Sequence, residues 1–336
     1  MAAIVAASML VGGLGAVVSQ RTLQVEEQPP VGQASSPATG VFRGPDRAAV
    51  EDFESWLGRP LEVVIDFSAR DTWEEITDPG YMLREWEGSG LRPVYGVAML
   101  PRSDQAATIG EGANGAYDDH FRRLAQKLVD AEQGDAILRL GWEFNLEGSR
   151  WATDEEQQFV QYWRRIVQAM RSVDGHELSF DWNVNNGDGN RYDAVAYYPG
   201  DDVVDFVGVD VYDQSGRPGT YPYPEQCDDV CRQERQQRAW EEQIYGGERG
   251  LRFWSEFARD KGKQLSLPEW GLWSRPDGTG GGNNPFYLER MHDFISDPAN
   301  NVAYHAYFDV DGEDGQHTLR EAFPAAGQVY RYLFGG

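Results

Sequence analysis

The chain lacks almost everything that would tie it to metals, nucleotides or nucleic acid. It has two cysteines in 336 residues, Cys227 and Cys231, in the run CDDVC. No second Cys/His cluster lies near them in sequence, so the pair is a short disulfide of an oxidising compartment, two free thiols or half a metal site. Five histidines, His120, His176, His292, His305 and His317, are scattered and form no HExxH pair, which disfavours metal catalysis. No GxGxxG follows a strand-like run and no P-loop occurs, so no cofactor is expected. Positive charge is scarce. Lysine occurs only at 127, 261 and 263, and 30 basic residues face 55 acidic ones, for a net charge of -25. Such a surface repels nucleic acid and anionic membrane. It also disfavours a polyanionic substrate, unless a local arginine cluster overrides the global field. No internal repeat is visible.

What is present begins with an uncharged stretch. Residues 2–20 are rich in Ala, Val, Leu and Gly, and the first charge is Arg21. The length lies between a signal-peptide core and a short spanning helix, with no basic residue before it and no A-x-A site after it. Residues 1–20 read as a signal peptide or membrane anchor, and a secreted or extracytoplasmic membrane-anchored protein is expected. Residues 21–39 (RTLQVEEQPPVGQASSPAT) read as a flexible linker.

From residue 40 to 336, short apolar runs alternate with amphipathic stretches, the βαβα pattern of a parallel sheet. Strands are predicted at 40–43, 61–67, 92–99, 136–142, 178–183, 205–211, 265–268 and 302–308. Helices are predicted at 45–57, 73–87, 117–132, 154–172, 248–261, 285–295 and 319–333. Eight such units in about 300 residues predict an α/β fold, a single (β/α)8 TIM barrel serving as the catalytic domain. The Gly- and Pro-rich segment 214–231 reads as a loop inserted over the barrel mouth.

Reactive side chains of such barrels project from the carboxyl ends of strands. The fourth predicted strand runs AILRLGWEFN through Glu143, and the seventh runs LSLPEWG through Glu269. A lone strand-end Glu is more often a cap or an ion-pair partner. Two of them, on strands four and seven and flanked by aromatics, match the needs of glycoside hydrolysis: one protonated acid for the leaving oxygen and one carboxylate for the anomeric carbon. Asp66 and Arg139 lie near strand ends as well; Arg139 either holds a carboxylate or forms a buried ion pair in the barrel.

Three stretches carry a family resemblance: LRLGWEFN with Trp151 after it, YYPGDDVVDFVGVDVYD at 197–213, and LPEWG. FDWNVN at 180–185 adds to them. With these, the chain resembles glycoside hydrolase family 26, within the clan of retaining (β/α)8 hydrolases, over roughly residues 40–335. The resemblance implies Glu143 as acid/base, Glu269 as nucleophile and Tyr212 as the tyrosine that bonds and orients the nucleophile. Asp210 is expected to orient its neighbours from inside the barrel or to satisfy backbone donors.

One position departs from the family. A His usually precedes the acid/base, and an Asn does so in related families, whereas this chain has Trp142. Those polar residues contact the sugar at the reacting centre, and Trp offers one donor and no acceptor. Either the sugar differs from mannose or glucose, or another residue, Asn145 being the candidate, replaces the contact.

Trp142, Trp151, Trp182, Trp270, Trp273 and Tyr307 are candidate sugar platforms, with Trp182 and Tyr307 favoured by their strand-end positions. His305 either touches substrate or is a bonded core residue. The run 280–282 (GGG) reads as a flexible loop or lid near Glu269. The expected activity is retaining, endo-acting hydrolysis of a β-linked polysaccharide, β-mannan-like by resemblance, by a monomer. The rivals are an enzyme for an unusual bacterial exopolysaccharide, a non-catalytic glycan-binding barrel and an inverting hydrolase.

Overall fold

The sheet is the alternating pattern made solid. In the computed structural model, which describes residues 36–187 and 190–336, eight strands form in order: β1 (Ala38–Phe42), β2 (Val63–Phe67), β3 (Arg92–Val97), β4 (Ile137–Leu140), β5 (Ser179–Asn185), β6 (Phe206–Tyr212), β7 (Gln264–Gly271) and β8 (Val302–Phe308). Every pairing is parallel, and β1 pairs with both β2 and β8, so the sheet closes into a barrel. Buried on both faces, strands such as β2 (VVIDF) and β8 (VAYHAYF) read as near-continuous apolar runs, whereas β5 (SFDWNVN) alternates polar and apolar residues.

Ten helices lie between and after them: α1 (Arg47–Leu57), α2 (Trp73–Thr77), α3 (Gly80–Trp86), α4 (Ile109–Ala113), α5 (Asp118–Asp130), α6 (Glu156–Arg171), α7 (Asp229–Ala239), α8 (Leu251–Asp260), α9 (Pro285–Ser296) and α10 (Pro324–Phe334). Local chemistry sets several ends. Asp46 accepts from the Ala49 N–H ahead of α1, and Gly58, in the left-handed region at φ 86°, ends it. Thr72 and Glu75 form a capping box on α2. Helix α6 shows the burial logic best. Phe159, Tyr162, Trp163, Ile166, Val167 and Met170 recur at three and four residues and are all buried, with Trp163 Nε1 donating to the Leu140 carbonyl at 3.2 Å.

Two apolar cores result. A small one fills the barrel interior with Val63, Ile65, Val94, Ile137, Tyr304 and Ala306. The large one lies between sheet and helices and takes most of the aromatic side chains.

The predicted elements needed several corrections. β1 begins at Ala38, so the end of the predicted linker is paired with β8; the rest of 21–35 and the predicted signal or anchor at 1–20 lie outside the described residues. The helix predicted at 73–87 is two helices, because Pro79 lacks an N–H and disfavours helical geometry at Asp78. β4 ends at Leu140, while β5 and β7 run on to Asn185 and Gly271. The last helix starts at Pro324 rather than residue 319. The 214–231 segment is a loop up to its final residues, where α7 begins, a helix the sequence reading missed; Cys227 and Cys231 are joined as a disulfide. Among the described residues no helix is long and apolar enough to cross a membrane.

The α6 stripe gives a stability test. Trp163→Ala should lower the unfolding free energy by about 3–5 kcal/mol in denaturant titration, through lost burial and the cavity left behind.

Candidate active site

The carboxyl end of the barrel is shaped by one extra residue in β7. Gly208 pairs with Ser266 and Val211 with Trp270, while on the other side Leu267 pairs with His305 and Trp270 with Tyr307. Both neighbours skip one residue fewer than β7 does, so the bulge sits at Pro268–Glu269. Counting strictly by twos from Ser266, which bonds Asp181 inside the barrel, would send Glu269 outward and Trp270 inward. The bulge reverses this: Glu269 faces the barrel mouth and Trp270 is buried against Tyr307, Tyr330 and Phe334.

Below Glu269 lies Arg139, fully buried on β4. Its Nη2 donates to Glu269 Oε1 and to Asp210 Oδ2, the latter at 2.6 Å, and its Nε donates to Asn183 Oδ1 at 2.9 Å. Burial alone would lower its pKa, but Asp210 and Glu269 outweigh that and hold it charged. The other oxygen of Glu269 accepts from the Tyr212 hydroxyl at 3.0 Å. Burial, with Glu269 beside it, pushes the Tyr212 phenol well above its ordinary value, so it stays a donor. Glu269 is therefore bracketed by a cation and a phenol, each donating to one of its oxygens.

Glu143 sits in a different environment. After β4 the chain turns sharply: Gly141 has φ 60° and Glu143 itself has φ 50°, uncommon for a residue with a side chain. A Cβ on Gly141 would stand 2.4 Å from Met99 Sδ, so the turn requires glycine. The Glu143 N–H bonds the Asn183 carbonyl at 3.1 Å, and Asn185 Nδ2 donates to Glu143 Oε1 at 2.5 Å. Burial chiefly, and then the charge of Glu269, raise the Glu143 carboxyl to about 7, against the pull of the Asn185 hydrogen bond and Arg139. Two carboxyls thus share a site in unlike surroundings, Glu143 fitted to hold a proton and Glu269 hydrogen-bonded by Arg139 and Tyr212.

The cleft continues on both sides of Glu143. One lobe of about 540 Å³ is lined by Glu143, Glu269, Tyr212, Trp273, Arg275 and Phe308. The other, of about 370 Å³, shares Glu143, Leu146 and Glu147 and adds Trp142, Trp151, Arg70, Arg102 and Arg150. Arg275 lies over the Trp273 ring at 4.2 Å, and Arg70 over the Trp142 ring at 5.1 Å. No cluster of three or more potential metal ligands occurs among the described residues.

Of the predicted residues, Glu143, Glu269, Tyr212, Trp142, Trp151 and Trp273 meet in this cleft. Trp151 backs Trp142, with rings 4.7 Å apart and its Nε1 donating to the Trp142 carbonyl. Trp182, Trp270 and Tyr307 are not platforms. All three are fully buried on the outer face of the sheet, Trp182 against Phe144, Trp254 and Phe257. In β5, Asn183 and Asn185 turn toward the site, so Trp182 and Val184 alternate away. Tyr307 bonds the His317 carbonyl and the Leu272 N–H, holding backbone.

Asn145 and Asp210 are buried and position other groups. Asn145 exchanges hydrogen bonds with the Asn185 backbone, both at 2.9 Å, so it sets the residue that touches Glu143. Asp210 shares Arg139 with Glu269. Asp66 accepts from Trp86 Nε1 at 2.7 Å and serves the wall. His305 is on the outer face between Thr39 and Trp270, and burial lowers it to about 3, so it is neutral and structural. The glycine run is pinned: Gly281 N–H bonds the Asp213 carbonyl and Gly282 N–H the Trp273 carbonyl, and a Cβ on Gly280 would stand 2.0 Å from Trp273 O. These glycines permit close approach and form no free lid.

The sequence reading missed Asn185, Arg70 and Arg275. Asn185 was legible from parity with Asn183; the two arginines, on loops, carried no local signal.

The class the structure defines is a closed parallel (β/α)8 barrel with two glutamates of unlike surroundings in one cleft at its carboxyl end. More specifically, residues 116–227, the stretch that carries β4 to β6 and the loops beyond, match Glycosyl hydrolase family 26. Endoglucanase H of Acetivibrio thermocellus is 25% identical over 179 residues, which cover 50% of this chain; the chain spans only 19% of that protein. Among solved structures, a Cellulomonas fimi endo-beta-1,4-mannanase double mutant superposes with a TM-score of 0.56 at 19% identity, covering 88% of this chain and 70% of that one. The catalytic domain of the Bacillus sp. JAMB-750 GH26 endo-beta-1,4-mannanase gives 0.56 at 17% identity, covering 90% and 87%. At these identities the structural likeness is one of fold.

The Asn185 contact yields a direct test. Asn185→Ala keeps the backbone bonds to Asn145 but removes the donor to the Glu143 carboxylate. The Glu143 pKa should rise by roughly one to two units, given about 1.5–3 kcal/mol for such a bond, as read by carbonyl-selective infrared or carbon NMR titration.

Proposed function

We propose that the protein is a retaining glycoside hydrolase that cuts within β-linked polysaccharide chains. The observation that carries this reading is the pair of glutamates on β4 and β7, one raised to about 7 and the other held between Arg139 and Tyr212. Glu143, protonated near neutral pH, donates to the glycosidic oxygen while Glu269 attacks the anomeric carbon. The covalent bond neutralises Glu269 and so removes one of the charges that raised Glu143. Its pKa falls, and it becomes the base that takes a proton from the incoming water. Tyr212 keeps its hydrogen bond on the second oxygen of Glu269 and sets the angle of attack.

The family 26 segment supports this chemistry, and the relatives' names, two mannanases and an endoglucanase, point to β-1,4-linked hexose backbones. A cleft with a lobe on each side of Glu143 suits internal cleavage. An extracytoplasmic location fits the Cys227–Cys231 disulfide, since such bonds persist where the medium is oxidising.

The test is reducing-sugar release by the full chain across a panel of β-mannans, β-glucans, β-xylans and bacterial exopolysaccharides. Glu143→Ala and Glu269→Ala should each lower kcat/KM by about 10²–10⁴-fold or more. The first product should keep the β-anomeric configuration by proton NMR. Release that survives in both variants would place the chemistry elsewhere, and an inverted product would exclude the covalent step.

The raised Glu143 also predicts a pH-dependent stability. Its native value of about 7 exceeds the ordinary 4.5, so between these values the folded state holds a proton the unfolded state has lost, and stability falls as pH rises from 4.5 to about 7 and then levels off. Glu143→Gln should therefore leave stability near pH 4 little changed and raise it at pH 8 by up to about 3 kcal/mol in denaturant titration.

A further inference from the structure

The second lobe of the cleft is electrostatically unlike the rest of the molecule. The chain carries a net charge of -25, yet three arginines, Arg70, Arg102 and Arg150, line this one pocket beside Trp142 and Glu143. Arg102 is paired with Asp71 at 2.7 Å. Arg150 spends its Nη2 on the carbonyls of Asp104 and Ala107, neutral acceptors, and its buried Nε has no partner.

Arg70 stands apart. It is half-buried, it lies 5.1 Å over the Trp142 ring, and among the described residues its guanidinium has neither an ion pair nor a hydrogen-bond acceptor. Burial works against its charge and its neighbour Arg102 adds to that effect, while the charges of Asp71 and Glu269, neither of them an ion-pair partner of Arg70, offset part of it. A guanidinium offers five donors in a planar fork fitted to a carboxylate. Holding it partly desolvated, unpaired and fixed on an aromatic face is unfavourable unless something with negative charge completes it. The opposing charges in the lobe are few. Glu143 is held in its protonated form to about pH 7, and Glu147 is exposed to solvent at the rim.

We propose that this lobe is a subsite for an acidic sugar: Arg70, held on the Trp142 ring and sharing the lobe with Arg150, binds the carboxylate of a uronate residue. The substrate is then an acidic β-linked glycan rather than a plain neutral mannan or glucan. This rests on the hydrolase reading for the identity of the cut bond, and on the arginine geometry alone for the charge of the sugar. It also gives Trp142 a purpose: the ring that stands before Glu143 carries the cation that recognises the sugar.

Binding of cellobiouronic acid and of cellobiose, which differ by one carboxylate, tests the subsite on the full-length protein by tryptophan fluorescence or calorimetry at low salt. The acid should bind at least about ten-fold more tightly, the scale of one charge-assisted hydrogen bond. Arg70→Met should reduce that preference to under about three-fold, and Arg70→Lys, which keeps the charge, should retain more of it. Added salt should shrink the wild-type preference. Equal affinity for the two sugars, or a preference that persists in Arg70→Met, overturns the proposal. The hydrolase reading is judged separately: an acid preference with no release from any glycan removes the enzyme and leaves the subsite, whereas release without acid preference removes the subsite alone.

Discussion

The guanidinium of Arg139 is the contact on which the barrel mouth depends. It is buried on β4 and is shared by Asn183 of β5, Asp210 of β6 and Glu269 of β7, so one side chain ties four consecutive strands together at the level of the site. A buried cation is costly on its own, and so is each buried carboxylate; together, with short charge-assisted bonds, each supplies what the others lack. The same arrangement decides the chemistry. Glu269 meets its counter-charge from below and Tyr212 from the side, so its open face is turned to the cleft.

Backbone irregularity does the aiming. Regular strands alternate, and alternation alone would have buried the β7 glutamate on the helix side. The extra residue at Pro268–Glu269 changes which side chain faces the mouth and sends Trp270 into the outer core. On β4 the strand simply stops at Leu140, and two left-handed residues, Gly141 and Glu143, swing the acid toward β5, where Asn185 receives it. Strained or irregular backbone of this kind persists where the surrounding contacts over-determine it. Here the Glu143 N–H is bonded to Asn183, and Asn145 clamps Asn185 from both sides of its backbone.

The two lobes of the cleft share Glu143 but differ in character. On the Glu269 side, Arg275 is neutralised by Asp277 and stacked on Trp273, giving an amphipathic wall. On the Trp142 side, the positive charge is less compensated. Net charge acts over long distances and is screened by salt, whereas a half-buried guanidinium acts at contact distance, so a strongly acidic protein can still hold a local anion site.

Much of this was legible in the residues themselves. Eight alternations of apolar run and amphipathic stretch specify a parallel barrel, because a strand buried on both faces and a helix with one apolar stripe have few other ways to pack. Glu143 and Glu269 were found because the carboxyl ends of strands four and seven can be counted, and Tyr212 because a recognisable stretch surrounds it. Other features were decided only in three dimensions. Trp182, Trp270 and Tyr307 read as strand-end aromatics, but their facing depends on strand parity and on one bulge, and no local signal in Leu-Pro-Glu-Trp marks where the extra residue falls. Arg70 and Arg150 lie on separate loops 80 residues apart in sequence and meet only because the closed barrel gathers its loops at one end. Short-range order is written in propensity and periodicity; which charges share a desolvated space is set by long-range closure, and that belongs to the tertiary structure alone.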